Sequence, residues 1–157
     1  MGAIRTTITL ASLWLLAACG GPGDDVTVPQ AQPAGASFAD IGNFVVHFSA
    51  QTTDQLSPEV ARTYNIVRSP NRAMLTVSVL REDDNTPVEA KVTVKTVNLT
   101  GQMKNVTMRM LREQEAIYYV GETQVANQET LSFEISVQPA GVDEPASVLF
   151  QRQFYSN

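Results

Sequence analysis

The chain is 157 residues long, 43% hydrophobic, and carries a formal net charge of −5 from 16 acidic and 11 basic residues. Such a length fits one domain behind a leader and is enough to bury a core. The acidic balance argues against nucleic acid, which asks for a basic face, and the single cysteine, Cys19, excludes an intramolecular disulfide and a multi-thiolate zinc site.

Arg5 places a positive charge near the start, and Ile8 to Ala18 then runs uncharged through Leu10, Leu13, Trp14, Leu15 and Leu16. Roughly 11 apolar residues, against the ~20 that a spanning helix needs, suit a secretion signal. The run ends in Leu16-Ala17-Ala18-Cys19, which resembles the lipobox of bacterial lipoproteins. That resemblance implies cleavage before Cys19, a diacylglyceryl group on its thiol, and acylation of the new amine. The alternative is an ordinary secreted protein cut near Ala18. Gly20-Gly21, with no aspartate beside the cysteine, resemble the pattern of lipoproteins sent on to the outer membrane. The expected location is therefore the cell envelope, lipid-anchored and facing the periplasm. The bilayer would be a partner through acylated Cys19, at about 0.8 kcal/mol per buried CH₂.

Residues 1–18 thus read as signal peptide and 19–37 as lipidated cysteine and flexible tether. From Gly20 to Ser37 the chain is rich in glycine and proline and has no aromatic residue, so it cannot offset its ordering entropy by burial. Its r.m.s. span as a coil is roughly 23 Å, which keeps the domain close to the membrane.

Residues 38–157 alternate with period two, the mark of half-buried strands. The alternating runs are Phe44–Phe48, Leu75–Val79, Val88–Lys95, Val106–Met110, Leu131–Val137 and Val148–Phe154. Ile117–Val120 is apolar or aromatic on both faces, as in a doubly covered strand. Between Phe48 and Leu75, Ser57-Pro58-Glu59 supplies an N-cap, a proline at the first helical position and an acid in the first turn. The short helix would carry Val60, Ala61 and Tyr64 and stop at Asn65, which tolerates left-handed backbone. Asp83-Asp84-Asn85-Thr86-Pro87, Asn98-Leu99-Thr100-Gly101 and the 139–145 stretch are turn or loop signals. The expected fold is all-β: an antiparallel β-sandwich of about seven strands, immunoglobulin-like, with one short helix. A small barrel is the alternative.

Catalytic patterns are sparse. No Gly-x-Ser-x-Gly elbow, phosphate-cradling glycine loop or dinucleotide fingerprint is present. The one histidine, His47, falls on the polar side of its strand. It reads as a surface or edge residue, or else as a general base or recognition contact. Glu82-Asp83-Asp84 lacks the glycine bend and closing glutamate of a calcium loop and reads as a solvated turn. Met103, Met108 and Met110 read as packing residues, and Asn98-Leu99-Thr100 and Asn105-Val106-Thr107 as turn and strand rather than glycosylation sites. No cofactor or metal is expected.

Taken in order, Asn43-Phe44-Val45-Val46-His47-Phe48, Leu56-Ser57-Pro58-Glu59-Val60-Ala61, Ile66-Val67-Arg68-Ser69-Pro70-Asn71-Arg72, Asn98-Leu99-Thr100-Gly101 and Ala116-Ile117-Tyr118-Tyr119 resemble an uncharacterised proteobacterial family, domain of unknown function 4426. The resemblance covers residues 38–157 and implies an exported, single-domain, β-rich protein. It implies no activity and no catalytic residues. The expected function is a non-catalytic binding or accessory module of the envelope, contacting a protein or glycan. A hydrolase using His47 and loop carboxylates is the alternative. The candidate partner-binding residues are Arg68, Asn71 and Arg72, on a loop stiffened by Pro70, together with His47. Against that role, the arginines would simply pair with Glu82, Asp83 or Asp84.

Overall fold

The alternating segments form nine strands in the computed structural model, which describes residues 37–156; the expected signal peptide, Cys19 and most of the tether lie outside the described residues. The strands are β1 (Phe38–Ile41), β2 (Phe44–Thr52), β3 (Arg72–Arg81), β4 (Ala90–Asn98), β5 (Met103–Lys104), β6 (Arg109–Glu113), β7 (Ala116–Gln124), β8 (Glu129–Pro139) and β9 (Ala146–Phe154). One sheet has the order β1-β2-β3-β7-β6 and the other β5-β4-β8-β9, and every pairing is antiparallel. Without the short β1 and β5, the seven remaining strands have the two-sheet arrangement of an immunoglobulin constant-type domain. The expected sandwich is the observed fold.

Each long strand turns one row of apolar side chains inward. Val46, Phe48 and Ala50 of β2, Leu75, Val77 and Val79 of β3, and Leu131, Phe133, Ile135 and Val137 of β8 join one buried cluster. Aromatic rings tie its edges: Phe150 of β9 lies 5.1 Å from Phe48 and 5.7 Å from Phe133, centroid to centroid. A hydrogen bond also links the sheets there, the Ala90 N–H donating to the Tyr119 hydroxyl at 2.7 Å. Buried tyrosine hydroxyls need such a partner.

The helix, α1 (Pro58–Thr63), begins as the sequence indicates, with Ser57 Oγ accepting the Val60 N–H at 3.2 Å. Asn65 is left-handed at φ 54°. Of the residues placed on the helix, Ala61 is buried, Tyr64 half-buried and Val60 exposed. Leu56, Ala61 and Ile66 pack on Met74 and Val120, forming a second small core on the outer face of the five-stranded sheet. A helix of under two turns persists only through such packing.

The expected strand at Val106–Met110 is displaced. Residues 105–108 carry the chain from one sheet to the other, and β6 starts only at Arg109. The apolar alternation there has another cause: Val106 and Met108 lie over Gly121. A Cβ on that glycine would stand 2.5 Å from Val106 Cγ1 and 2.6 Å from Met108 Sδ. Gly121→Ala is therefore expected to cost about 1–3 kcal/mol, as overpacking does. Urea unfolding followed by circular dichroism measures this, and an unmoved midpoint would show that the crossover yields freely.

Candidate functional site

Strand register decides which polar side chains share a face. On β2, His47 and Ser49 point away from the core, because Val46, Phe48 and Ala50 point into it. His47 pairs with Phe38 of β1 on one side and Ser78 of β3 on the other, while Ser49 pairs with Thr76. His47 is thus an exposed residue on an interior strand of the sheet. Its ring lies 6.1 Å from that of Phe38, tilted by 44°. With Tyr118 of β7 beyond Ser78, these side chains line a shallow concavity of about 260 Å³ whose lining includes Ser37, His47, Ser49, Thr76, Ser78 and Tyr118. Among the described residues, those that line it include no carboxylate, lysine or arginine. No hydrogen bond among the described residues engages the side chains of His47, Ser49, Thr76, Ser78 or Tyr118, of which His47 and Ser49 are exposed and the other three half-buried.

The arginine loop lies elsewhere. His47 is level with Ser78, six residues along β3 from Arg72, which at ~3.3 Å per residue is about 20 Å. The structure does not bring His47 and the arginines together. Nor do the arginines meet the acids of the 82–84 turn, because the length of β3 separates them. Arg68 Nη2 donates to the Asp54 carbonyl oxygen at 2.6 Å, and Arg72 pairs with Glu122 at 3.5 Å. Arg68 borders a groove of about 530 Å³ along α1 with Arg62 and Val67, whereas Arg72 borders a different one beside Lys104. Asn71 is exposed, and its carbonyl accepts the Val125 N–H at 3.0 Å.

What fixes this loop is Thr53, in a 3-10 turn at Thr53–Gln55. The Thr53 side chain is fully buried. Its hydroxyl lies 2.8 Å from the Val67 carbonyl oxygen and 3.2 Å from that of Ser69, and it accepts the Ser69 N–H at 3.0 Å. One small buried side chain thus bonds three backbone groups of a loop that is otherwise half-buried to exposed. Nothing in the sequence marks Thr53 for this role. A threonine just past a strand end is common, and its partners lie 14 and 16 residues on.

A second knot sits at the same end of the sandwich. Asn98 Oδ1 accepts the Thr100 N–H at 3.1 Å, the Gln102 N–H at 2.8 Å and the Thr100 hydroxyl at 2.8 Å. Asn98 Nδ2 donates to Glu129, which also pairs with Lys104 at 2.9 Å. Burial pushes the Glu129 carboxyl up, but the bonds from Lys104, the Ala126 N–H and Asn98 outweigh it and hold the group below the usual carboxylate range. The turn therefore stands on a largely buried ion pair rather than on loop chemistry alone.

The family model described as Domain of unknown function (DUF4426) matches residues 38–157. Among solved structures, a DUF4426 family protein from Pseudomonas aeruginosa PAO1 has a TM-score of 0.67 at 28% identity, over 76% of this chain and 94% of that one. A copper-bound variant of FetP from uropathogenic Escherichia coli strain F11 has a TM-score of 0.56 at 8% identity, over 76% and 95% of the two chains. FetP as isolated gives 0.54 at 9% identity, over 76% and 93%. At such identities the likeness to FetP is one of fold alone. The comparison with curated proteins finds no match.

Thr53→Ala would leave the Val67 and Ser69 backbone groups without their partner and is expected to cost about 1–3 kcal/mol. Thr53→Ser should recover most of it. Thermal unfolding of both variants checks this, and an alanine variant as stable as the parent would show the hydroxyl to be dispensable.

Proposed function

The chain belongs to the DUF4426 family, and on that premise we propose that its domain is a non-catalytic binding module of the cell envelope, anchored through acylated Cys19 at the outer membrane and facing the periplasm. The bound group is an uncharged, hydroxyl-rich part of an envelope glycan, taken on the sheet face around His47. One observation carries this: a concavity free of charged side chains, floored by serine and threonine hydroxyls and one imidazole, with the rings of Phe38 and Tyr118 beside it. Hydroxyls and imidazole donate and accept hydrogen bonds with equal ease. Aromatic faces add apolar area at small entropic cost, since each ring has only two torsions to fix. That combination suits a neutral polyhydroxyl ligand better than an anion.

Export is supported by the signal-like segment 1–18 and by a fold shared with FetP, which was obtained from the periplasm of E. coli. The copper of the FetP variant is not carried over to this chain, whose likeness to FetP is one of fold. His47 is the one histidine, and no group of three or more His, Cys, Asp or Glu converges among the described residues. Met103 and Met110 lie on strands of different sheets.

The hydrolytic alternative has one observation in its favour, Ser78 directly across from His47. A nucleophile and base act through a hydrogen bond between them, and the imidazole here packs toward Phe38 instead. Turnover of an ester or amide substrate by the purified domain, abolished by His47→Ala, would establish that reading in place of binding.

Two measurements test the proposal. Cys19→Ser protein is expected to leave the membrane pellet on cell fractionation, and retention equal to the parent would sink the anchor. For the ligand, muropeptides and lipopolysaccharide core oligosaccharide are titrated into the 38–157 domain and followed by amide chemical shifts. Saturable shifts around His47 and Ser78, weakened at least tenfold in affinity by Tyr118→Ala, are expected. Flat titrations with both glycans would rule the glycan reading out.

A further inference from the structure

The two ends of the sandwich differ in charge and in apolar exposure. Antiparallel register places the β1–β2, β3–β4, β6–β7 and β8–β9 turns at one end. That end carries Glu82, Asp83, Asp84, Glu115, Asp143 and Glu144, all exposed. Asp84 is held below the usual carboxylate range chiefly by the Thr86 N–H, so its charge persists into mild acid. The opposite end is built from the β2–β3 connection, the β4–β5 turn, the β7–β8 turn and the residues after β9. It carries Arg62, Arg68, Arg72 and Lys104 against Asp54, Glu59, Glu122 and Glu129, so its charges are close to balance, and it also holds large apolar side chains open to solvent. Leu99 is 75% exposed, Met103 69%, Val67 62% and Tyr155 61%.

Leu99, Met103 and Val67 stand on braced backbone. Leu99 is at the tip of the turn that Asn98 closes with three hydrogen bonds, and Met103 follows it on β5, next to the Lys104–Glu129 pair. Val67 projects from the segment that Thr53 clasps. A braced apolar tip enters another phase without losing conformational freedom it never had. Leucine, methionine and tyrosine above a charge-balanced rim, in which Glu122 and Glu129 already pair with Arg72 and Lys104, can settle at a bilayer interface without burying a bare charge. The acidic end, by contrast, is repelled by anionic lipid. Chain direction agrees: β1 starts beside Phe48, at mid-height of the sheet, and runs toward the acidic end. Its N-terminal end, through which an anchor acts, faces the other one.

We infer that the end bearing Leu99, Met103, Val67 and Tyr155 rests on the lipid surface to which the protein is anchored, with Leu99 and Met103 dipping into the interface and the acidic end turned away. The inference rests on the proposed lipidation of Cys19. The sheet face around His47 then stands upright beside the membrane and stays open to a ligand.

The test uses the full lipidated protein, because the mature chain has no tryptophan once Trp14 leaves with the signal. Single reporters are introduced as Leu99→Trp, Met103→Trp and, at the acidic end, Glu144→Trp. Each protein is reconstituted into phosphatidylethanolamine–phosphatidylglycerol vesicles after its circular dichroism is matched to the parent. Quenching by brominated lipid and by iodide is then read. We expect Leu99→Trp or Met103→Trp to be quenched by brominated lipid at least threefold more than Glu144→Trp, with the order reversed for iodide. Vesicle-bound protein with equal quenching at both ends would overturn the orientation and leave the anchor standing. Protein that fails to float with the vesicles would overturn the anchor, and the orientation with it.

Discussion

The surface of this domain is organised by the apolar faces that β3 and β8 turn into one core. Leu75, Val77 and Val79 on the first and Leu131, Phe133, Ile135 and Val137 on the second are all essentially inaccessible to water. Each such side chain contributes about 1.5–3 kcal/mol by leaving water. No crosslink backs them up, because the one cysteine, Cys19, precedes the domain. In immunoglobulin domains of antibodies a disulfide joins the two strands that correspond to β3 and β8; here packing alone holds the sheets face to face. Because side chains alternate strictly along a strand, burying these rows also forces the rows between them outward. His47, Ser49, Thr76 and Ser78 share an outer face as a consequence of the core.

The outer face is then divided by a single small element. Leu56, Ala61 and Ile66 cover Met74 and Val120, so one side of the sheet becomes a second core and the other stays open. Tyr118 lies at the boundary, packed against that core on one side and lining the polar concavity on the other. The buried hydroxyl of Thr53 holds the chain that leaves this element. Site and clasp are thus linked through α1.

Much of this was legible in the sequence, for identifiable reasons. Period two revealed the long strands, and Ser57-Pro58 revealed the helix start, because both signals are local. The immunoglobulin-like plan followed from strand number and turn spacing. The Val106–Met110 run misled because apolar alternation also arises where a crossover covers a glycine, and Gly121 is 15 residues away from Val106. The short β1 and β5 were invisible, having too few residues to show a period. The polarity of His47 was readable, but its neighbours were not, since Ser78 and Phe38 reach it only through register. The arginines' true partners, the Asp54 carbonyl and Glu122, were hidden for the same reason: composition suggested the nearest acidic cluster, and geometry placed it at the far end of β3.

The sheet order has a kinetic consequence. β3 has β7 as one neighbour and β4 has β8, so each sheet is completed only by a strand from far along the chain. Such non-local pairings must close large loops before they are rewarded, and sandwiches of this kind fold in milliseconds to seconds rather than microseconds. Until Leu131–Val137 arrives, the inner faces of β2, β3 and β4 lack the row that fills the centre of their shared core. The chain therefore keeps much of its apolar surface in contact with water until its last third becomes available to cover it.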